Sequence, residues 1–140
     1  MKEYKEIQVA LLGLGTVGLG VYKVLQMQKE EMQHKIGTEI KIKKILVRNL
    51  EKAAGKIEDA SVLTDSWQEI VNDDEIQIVI EVMGGMEPAR TYIMEAMQAG
   101  KQVVTANKDL IAADGKELMD QAKKSGCDLL FDCLLYTSPS

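Results

Sequence analysis

Short aliphatic runs alternate along the chain with longer stretches in which apolar residues recur every three or four positions. The first pattern predicts strands buried on both faces and the second predicts amphipathic helices, so their alternation points to a parallel sheet covered by helices. Ile7 to Leu12 reads as the first strand, stopping at Gly13. Val17, Val21, Val24, Leu25 and Met32 then predict a long helix that Gly37 ends. Ile40, Ile42 and Ile45 to Val47 make a second strand, with Lys41 and Lys43 alternating outwards, and Ser61 to Thr64 a short third one. Asp65 and Ser66 are expected to cap a helix with Gln68 and Glu69 reciprocating, and Trp67, Ile70 and Val71 form its buried face. Ile76 to Val82 is the clearest central strand, interrupted by Gln77 and Glu81. Pro88 suits the first turn of the next helix, whose stripe is Tyr92, Ile93, Ala96 and Met97 and whose end is Gly100. Gln102 to Thr105 follows as a strand. Asp114 with Glu117 predicts a capping box opening a helix through Leu118 and Ala122 to Gly126, and Asp128 to Phe131 is the last strand. The expected class is α/β, a doubly wound, mostly parallel sheet in one domain.

Composition narrows the function classes. A 140-residue chain with 46% hydrophobic and 28% charged residues has the balance of a globular domain, long enough to bury a core. Aromatic residues are only 4%, so aliphatic side chains and eight methionines must fill that core. A formal charge of -5 argues against a nucleic-acid surface, which needs a basic stripe. No run approaches the roughly 20 apolar residues of a membrane span, and Met1 to Glu6 has no signal-peptide core, so a cytoplasmic location is expected. Cys127 and Cys133 fit neither a redox pair nor a zinc-ligand spacing and read as plain thiols, Cys127 in the core. His34, among polar neighbours at a helix end, reads as a surface residue.

Gly13-Leu14-Gly15-Thr16-Val17-Gly18 is a GxGxxG pattern that follows a hydrophobic strand and opens a long helix. That context makes it a dinucleotide fingerprint rather than a chance glycine turn. Gly13 permits the tight turn, Gly15 lets the backbone approach a pyrophosphate, and Gly18 lets helix and strand pack closely. Backbone N–H groups at the helix start, including those of Thr16 and Val17, face the phosphates with the positive end of the helix dipole. After the second strand, where an acid would bind the ribose 2′-OH of NAD, the chain reads Val47-Arg48-Asn49. The guanidinium of Arg48 can hold a 2′-phosphate, with Lys52 as a helper, so NADP is expected in preference to NAD. The long first helix puts Arg48 further along the chain than the fingerprint expects, and an exposed arginine without ligand is the alternative.

Two later segments carry more. Glu81-Val82-Met83-Gly84-Gly85-Met86-Glu87-Pro88-Ala89 is a strand that breaks on paired glycines, which places the break at the ligand crevice of a doubly wound sheet. Thr105-Ala106-Asn107-Lys108 puts an amide and a lysine just past a buried strand end. With GLGTVG and the VRN turn, these segments resemble the homoserine dehydrogenase family from about Ile7 to Phe131, with VVTANK the most specific element. The resemblance implies a Rossmann-type fold and an NAD- or NADP-dependent interconversion of L-homoserine and L-aspartate 4-semialdehyde, serving threonine, isoleucine and methionine biosynthesis. It further implies that Lys108 is an active-site lysine handling the hydroxyl proton beside the nicotinamide. Thr105, Ala106 and Asn107 are then expected to shape the nicotinamide pocket, with Gly84 and Gly85 as its opposite wall.

The chain departs from the family pattern after the last strand. The family continues with an acid, an alanine and a Gly-Gly-Ile-Pro stretch that hold a monovalent cation, whereas here Phe131-Asp132-Cys133-Leu134 retains only the acid, Asp132, as a cation ligand. Residues 134–140 resemble translated adaptor or vector sequence, so residues 1–133 are expected to form the dinucleotide-binding domain and 134–140 an aberrant tail. The substrate-binding and dimerising domain is expected to be absent, leaving a chain that binds cofactor and catalyses little. The alternatives are a dinucleotide-binding module without catalysis, or another semialdehyde or hydroxy-acid dehydrogenase. A methyltransferase using S-adenosylmethionine shares the first glycine loop but not the second glycine pair or VVTANK.

Overall fold

Six strands form one parallel sheet in the order β3-β2-β1-β4-β5-β6, with β1 (Lys5–Leu12) in the centre. The computed structural model describes residues 5–36 and 38–131, and the side chains of residues 6–27 and 39–131. Strands β2 (Thr38–Leu46) and β3 (Leu63–Thr64) lie on one side of β1, while β4 (Ile76–Glu81), β5 (Gln102–Thr105) and β6 (Leu129–Phe131) lie on the other. The chain order reverses between β1 and β4, and that switch point opens a crevice at the carboxyl ends of the strands. Right-handed crossovers through helices are what parallel neighbours require. The helices are α1 (Thr16–Ile36), α2 (Leu50–Ala54), α3 (Gln68–Val71), α4 (Ala89–Gln98) and α5 (Lys108–Ser125). None of the described helices is long and apolar enough to cross a membrane.

Successive residues of β1 point to opposite faces, and the two faces carry separate cores. Ala10 and Leu12 join Trp67, Ile70, Ile93, Met97, Leu110 and Leu118 under α3, α4 and α5. Leu11 joins Leu14, Ile42, Ile45 and Ala53, with Leu19, Val21, Tyr22 and Leu25 of α1 packed against them. Leu11 and Leu12 are wholly buried, and each such leucine stabilises the fold by roughly 1.5–3 kcal/mol. Trp67 stacks on Tyr92 with ring centroids 4.5 Å apart and donates its Nε1–H to Glu95 at 2.7 Å, which satisfies its one polar atom.

Several local expectations are corrected. Val17 and Val24 are exposed, because α1 turns Gly18, Val21, Tyr22 and Leu25 to the sheet instead. Asp65 and Ser66 do not cap α3; Trp67 occupies that position without a side-chain cap bond, and the Ser66 N–H donates to Thr64 Oγ1 at 3.1 Å. The segment 61–64 is strand only over Leu63–Thr64, following a 3-10 turn at Ala60–Val62. Helix α5 begins at Lys108, where the Asn107 side chain accepts from the Leu110 N–H at 3.1 Å. Asp114 marks a kink inside α5, and the carboxylates of Asp114 and Glu117 both meet Arg90 of α4 instead of closing a capping box. Gly126 ends α5 with a left-handed φ of 70°, as expected of that glycine.

At the amino-terminal end of the sheet Lys101 is buried, and its Nζ donates to the carbonyls of Asp73 at 2.6 Å and Ile76 at 2.8 Å. Burial pushes its ammonium below the usual lysine range, partly offset by Asp73 and Asp74. Cys127 is half-buried against the core, its thiol donating to the Met97 carbonyl at 3.3 Å and raised by burial. His34, Asp132, Cys133 and the tail 134–140 lie outside the residues whose side chains are described.

Candidate functional site

The glycine loop leaves β1 at Gly13, whose φ of 103° is strained for any side chain. A Cβ there would also stand 3.2 Å from Met83 Cα and 3.3 Å from the Val82 carbonyl. The Gly13 N–H donates to the Leu46 carbonyl at 2.9 Å, tying the loop to the end of β2. Leu14 is buried in the core beside α1, and its carbonyl accepts from Lys56 Nζ at 3.0 Å. Gly15 and Gly18 differ sharply. No atom lies within 4 Å of a Cβ built on Gly15, whereas one on Gly18 would be 2.4 Å from the Gly13 carbonyl oxygen and 3.2 Å from Val82 Cγ2. One glycine therefore keeps the backbone open to a ligand, and the other keeps helix against loop. Thr16 and Val17 are exposed in the first turn of α1, which carries no acidic residue. The first-turn N–H groups and the positive end of the helix dipole thus have no acidic counter-charge within that turn.

A cleft of about 670 Å³ lies between this loop, the segment after β2 and the end of β4. Gly13, Leu14, Gly15 and Arg48 of the expected residues line it, and Lys52 and Lys56 add two further cations. Arg48 is exposed on this lining, two residues past the end of β2. The next residue, Asn49, caps α2 by accepting from the Lys52 N–H at 3.0 Å. That short helix went unread in the sequence, and the capping asparagine was its one signal. Val82, Met83, Pro88 and Tyr92 form a less polar wall, and Asp65 is the acid on the lining. Open backbone over Gly15, a helix start and a cationic rim suit a dinucleotide carrying a pyrophosphate.

Thr16, Val17, Gly18, Gly84, Gly85, Thr105, Ala106, Asn107 and Lys108 do not line this cleft. Gly18 lies buried beneath it. The last six lie at or past the carboxyl ends of β4 and β5. Gly84 and Gly85 have φ of 77° and 76°, so the 82–85 loop doubles back at the strand end. The Asn107 side-chain amide reaches across to donate to the Gly85 carbonyl at 2.6 Å, which brings the two expected walls together. Thr105, Ala106 and Asn107 are buried, while Lys108 is exposed as the first residue of α5.

Between those walls lies a group that the sequence reading passed over as a polar break in a strand. Glu81 is 0% exposed. Its Oε1 accepts from the Thr105 hydroxyl at 2.5 Å, and its Oε2 accepts from the N–H groups of Met83 at 2.9 Å and Gly84 at 3.2 Å, with the Asn107 amide at 3.5 Å. The available signal was an acid at the carboxyl end of an otherwise apolar central strand, a position where burial demands hydrogen-bond donors.

Residues 13–132 match the family model described as homoserine dehydrogenase, NAD binding domain. Homoserine dehydrogenase of Bacillus subtilis strain 168 is 44% identical over 128 residues, covering 91% of this chain and 30% of the relative. That of Lactococcus lactis strain IL1403 is 43% identical over 129 residues, covering 90% and 30%. A crystal structure of Staphylococcus aureus homoserine dehydrogenase at pH 6.0 superposes with a TM-score of 0.84 at 43% identity, covering 91% of this chain and 33% of that one. The chain thus spans about 30% of the length of these curated relatives. With the three-glycine loop, the reversed strand order and the match over nearly all its length, the chain belongs to the family of homoserine dehydrogenase NAD-binding domains.

Proposed function

We propose that this chain binds a nicotinamide dinucleotide, NADP in preference to NAD, as the cofactor-holding part of a homoserine dehydrogenase that interconverts L-homoserine and L-aspartate 4-semialdehyde. The observation that carries the reading is the contrast between Gly15, open on its Cβ side, and Gly18, closed against Gly13 and Val82. The amides of the loop and of Thr16 and Val17 hold the pyrophosphate, and Arg48 with Lys52 holds the adenosine 2′-phosphate. Gly84, Gly85, Thr105, Ala106 and Asn107 enclose the nicotinamide end, and Lys108 manages the proton of the substrate hydroxyl. When bound, the cofactor accepts or donates the hydride.

Titration calorimetry of the chain with NADPH and NADH tests this. Arg48→Asp is expected to weaken NADPH by about 10- to 100-fold, the loss of one or two charge-assisted hydrogen bonds, and to leave NADH within about threefold. Equal losses for both would remove Arg48 from the 2′-phosphate site. A folded wild-type chain that ignores both dinucleotides at millimolar concentration would overturn the reading altogether.

A further inference from the structure

Glu81 is the buried acid among the described residues, and its carboxylate meets four donors. The donors come from two separate loops. The Met83 and Gly84 N–H groups belong to the turn after β4, while the Thr105 hydroxyl and the Asn107 amide belong to the turn after β5. The second loop is internally braced. The Asn107 N–H donates to Thr105 Oγ1 at 3.0 Å, and the Asn107 side chain caps α5 at Leu110. A carboxylate buried in a strand end costs free energy unless donors surround it, and an aliphatic residue would fill the same space without that cost. What an aliphatic residue cannot do is accept from both loops at once.

We propose that Glu81 is a positioning residue that sets the spacing of the two loops at the nicotinamide end of the crevice. The inference rests on the cofactor reading above and deepens it by assigning the ring's walls to one acceptor. Glu81 acts through Gly84 and Asn107, and it does so with both oxygens. Glutamine in its place keeps the shape but presents a donor on one side. Turned towards the Met83 and Gly84 amides, that donor opposes two N–H groups; turned towards Thr105, it forces the hydroxyl hydrogen elsewhere. In the first orientation the turn after β4 loses its acceptor; in the second the amide still reaches Thr105, but as donor, so the hydroxyl gives up its own bond and the hold is weakened. Gly13, Gly15 and Arg48 at the adenosine end make no hydrogen bond to the carboxylate; the network reaches that cleft only through Met83, whose N–H the carboxylate accepts.

The test compares NADPH with 2′-phospho-ADP-ribose, the same molecule without its nicotinamide ring, on the wild-type chain, Glu81→Gln and Thr105→Val. Thr105→Val removes that bond from the other side, together with the acceptor of the Asn107 N–H, and covers the case in which Glu81→Gln fails to fold. Each variant is expected to bind 2′-phospho-ADP-ribose within about twofold of wild type and NADPH about tenfold more weakly, the effect of one weakened hydrogen-bonded contact. The emission shift of bound NADPH, which reports the surroundings of the reduced ring, should shrink in parallel. Equal weakening of both ligands would make Glu81 a general structural residue and overturn the proposal, as would unchanged binding of both. Wild-type binding that gains nothing from the ring would overturn the proposal while leaving the adenosine site standing. Wild-type binding of neither ligand would remove the cofactor reading and the proposal together.

Discussion

Alanine at Gly18 and at Gly15 should have opposite consequences, although both replace a glycine of the same loop. At Gly18 the new Cβ would lie 2.4 Å from the Gly13 carbonyl oxygen, about 1 Å short of the 3.4 Å where ordinary contact begins. The obstruction is backbone, and Val82 Cγ2 at 3.2 Å blocks a sideways retreat. Helix α1 must therefore lift from the loop, an overpacking that costs about 1–3 kcal/mol. A loss near 2 kcal/mol lowers the Tm of a chain this size by roughly 4–8 °C. At Gly15 nothing stands within 4 Å, so Gly15→Ala should change stability by less than about 1 kcal/mol, mostly through a poorer helix start. Its methyl instead fills the approach to the backbone, and NADPH binding should fall about 30- to 100-fold as pyrophosphate bonds are lost. Thermal melts by circular dichroism and calorimetric titration read the two effects separately. A Gly18→Ala chain that melts with wild type, or a folded Gly15→Ala chain that binds NADPH normally, would refute the division of labour between these glycines.

In a chain extended to the full length of its relatives, Lys108→Ala should lower homoserine oxidation at least about 100-fold, as loss of a general acid–base group does. Near-normal turnover in a spectrophotometric assay would exclude that role. Gly20 sits exposed inside α1 with open space around it, so Gly20→Ala should raise stability by about 0.5–1 kcal/mol in urea unfolding, and a loss would contradict the helix assignment. The Lys43 ammonium, 2.7 Å from Asp73, holds that carboxyl below its ordinary 3.8. Because the folded state binds the proton less readily, the stabilisation is complete above pH 3.8 and fades as pH falls towards the lower folded value. Asp73→Asn should thus cost under about 1 kcal/mol at neutral pH, a difference that urea titrations should find shrinking in acid.

The fold was largely legible because its strands are short aliphatic runs and its first turn is GxGxxG, both local signals. Where the reading slipped, the deciding partner was distant in sequence. Asp114 and Glu117 have the spacing of a capping box, but Arg90 on the neighbouring helix claims both carboxylates. Val17 and Val24 fit the expected stripe, yet with Gly18 held close to the loop α1 packs through Val21 and Leu25 of that stripe, joined by Leu19 and Tyr22, and leaves the two valines exposed. Arg48 could be placed at the site from the motif's geometry, and the cleft includes it. Glu81 could not, since its partners Thr105 and Asn107 reach it only once β4 and β5 pair. Lys56 shows the same limit: nothing local to it announces that it will hold the Leu14 carbonyl.

Lys101 and Glu81 sit at opposite ends of the β4–β5 pair, one a buried cation on carbonyls, the other a buried anion on amides and a hydroxyl. Sliding β5 along β4 by a single residue would detach both at once, leaving two ionic groups stranded in apolar surroundings. Misregistered pairings, which strands as short as these would otherwise tolerate, are thereby penalised twice. Polar burial at these two points acts as an alignment check on the sheet, and the crevice inherits its dimensions from that check.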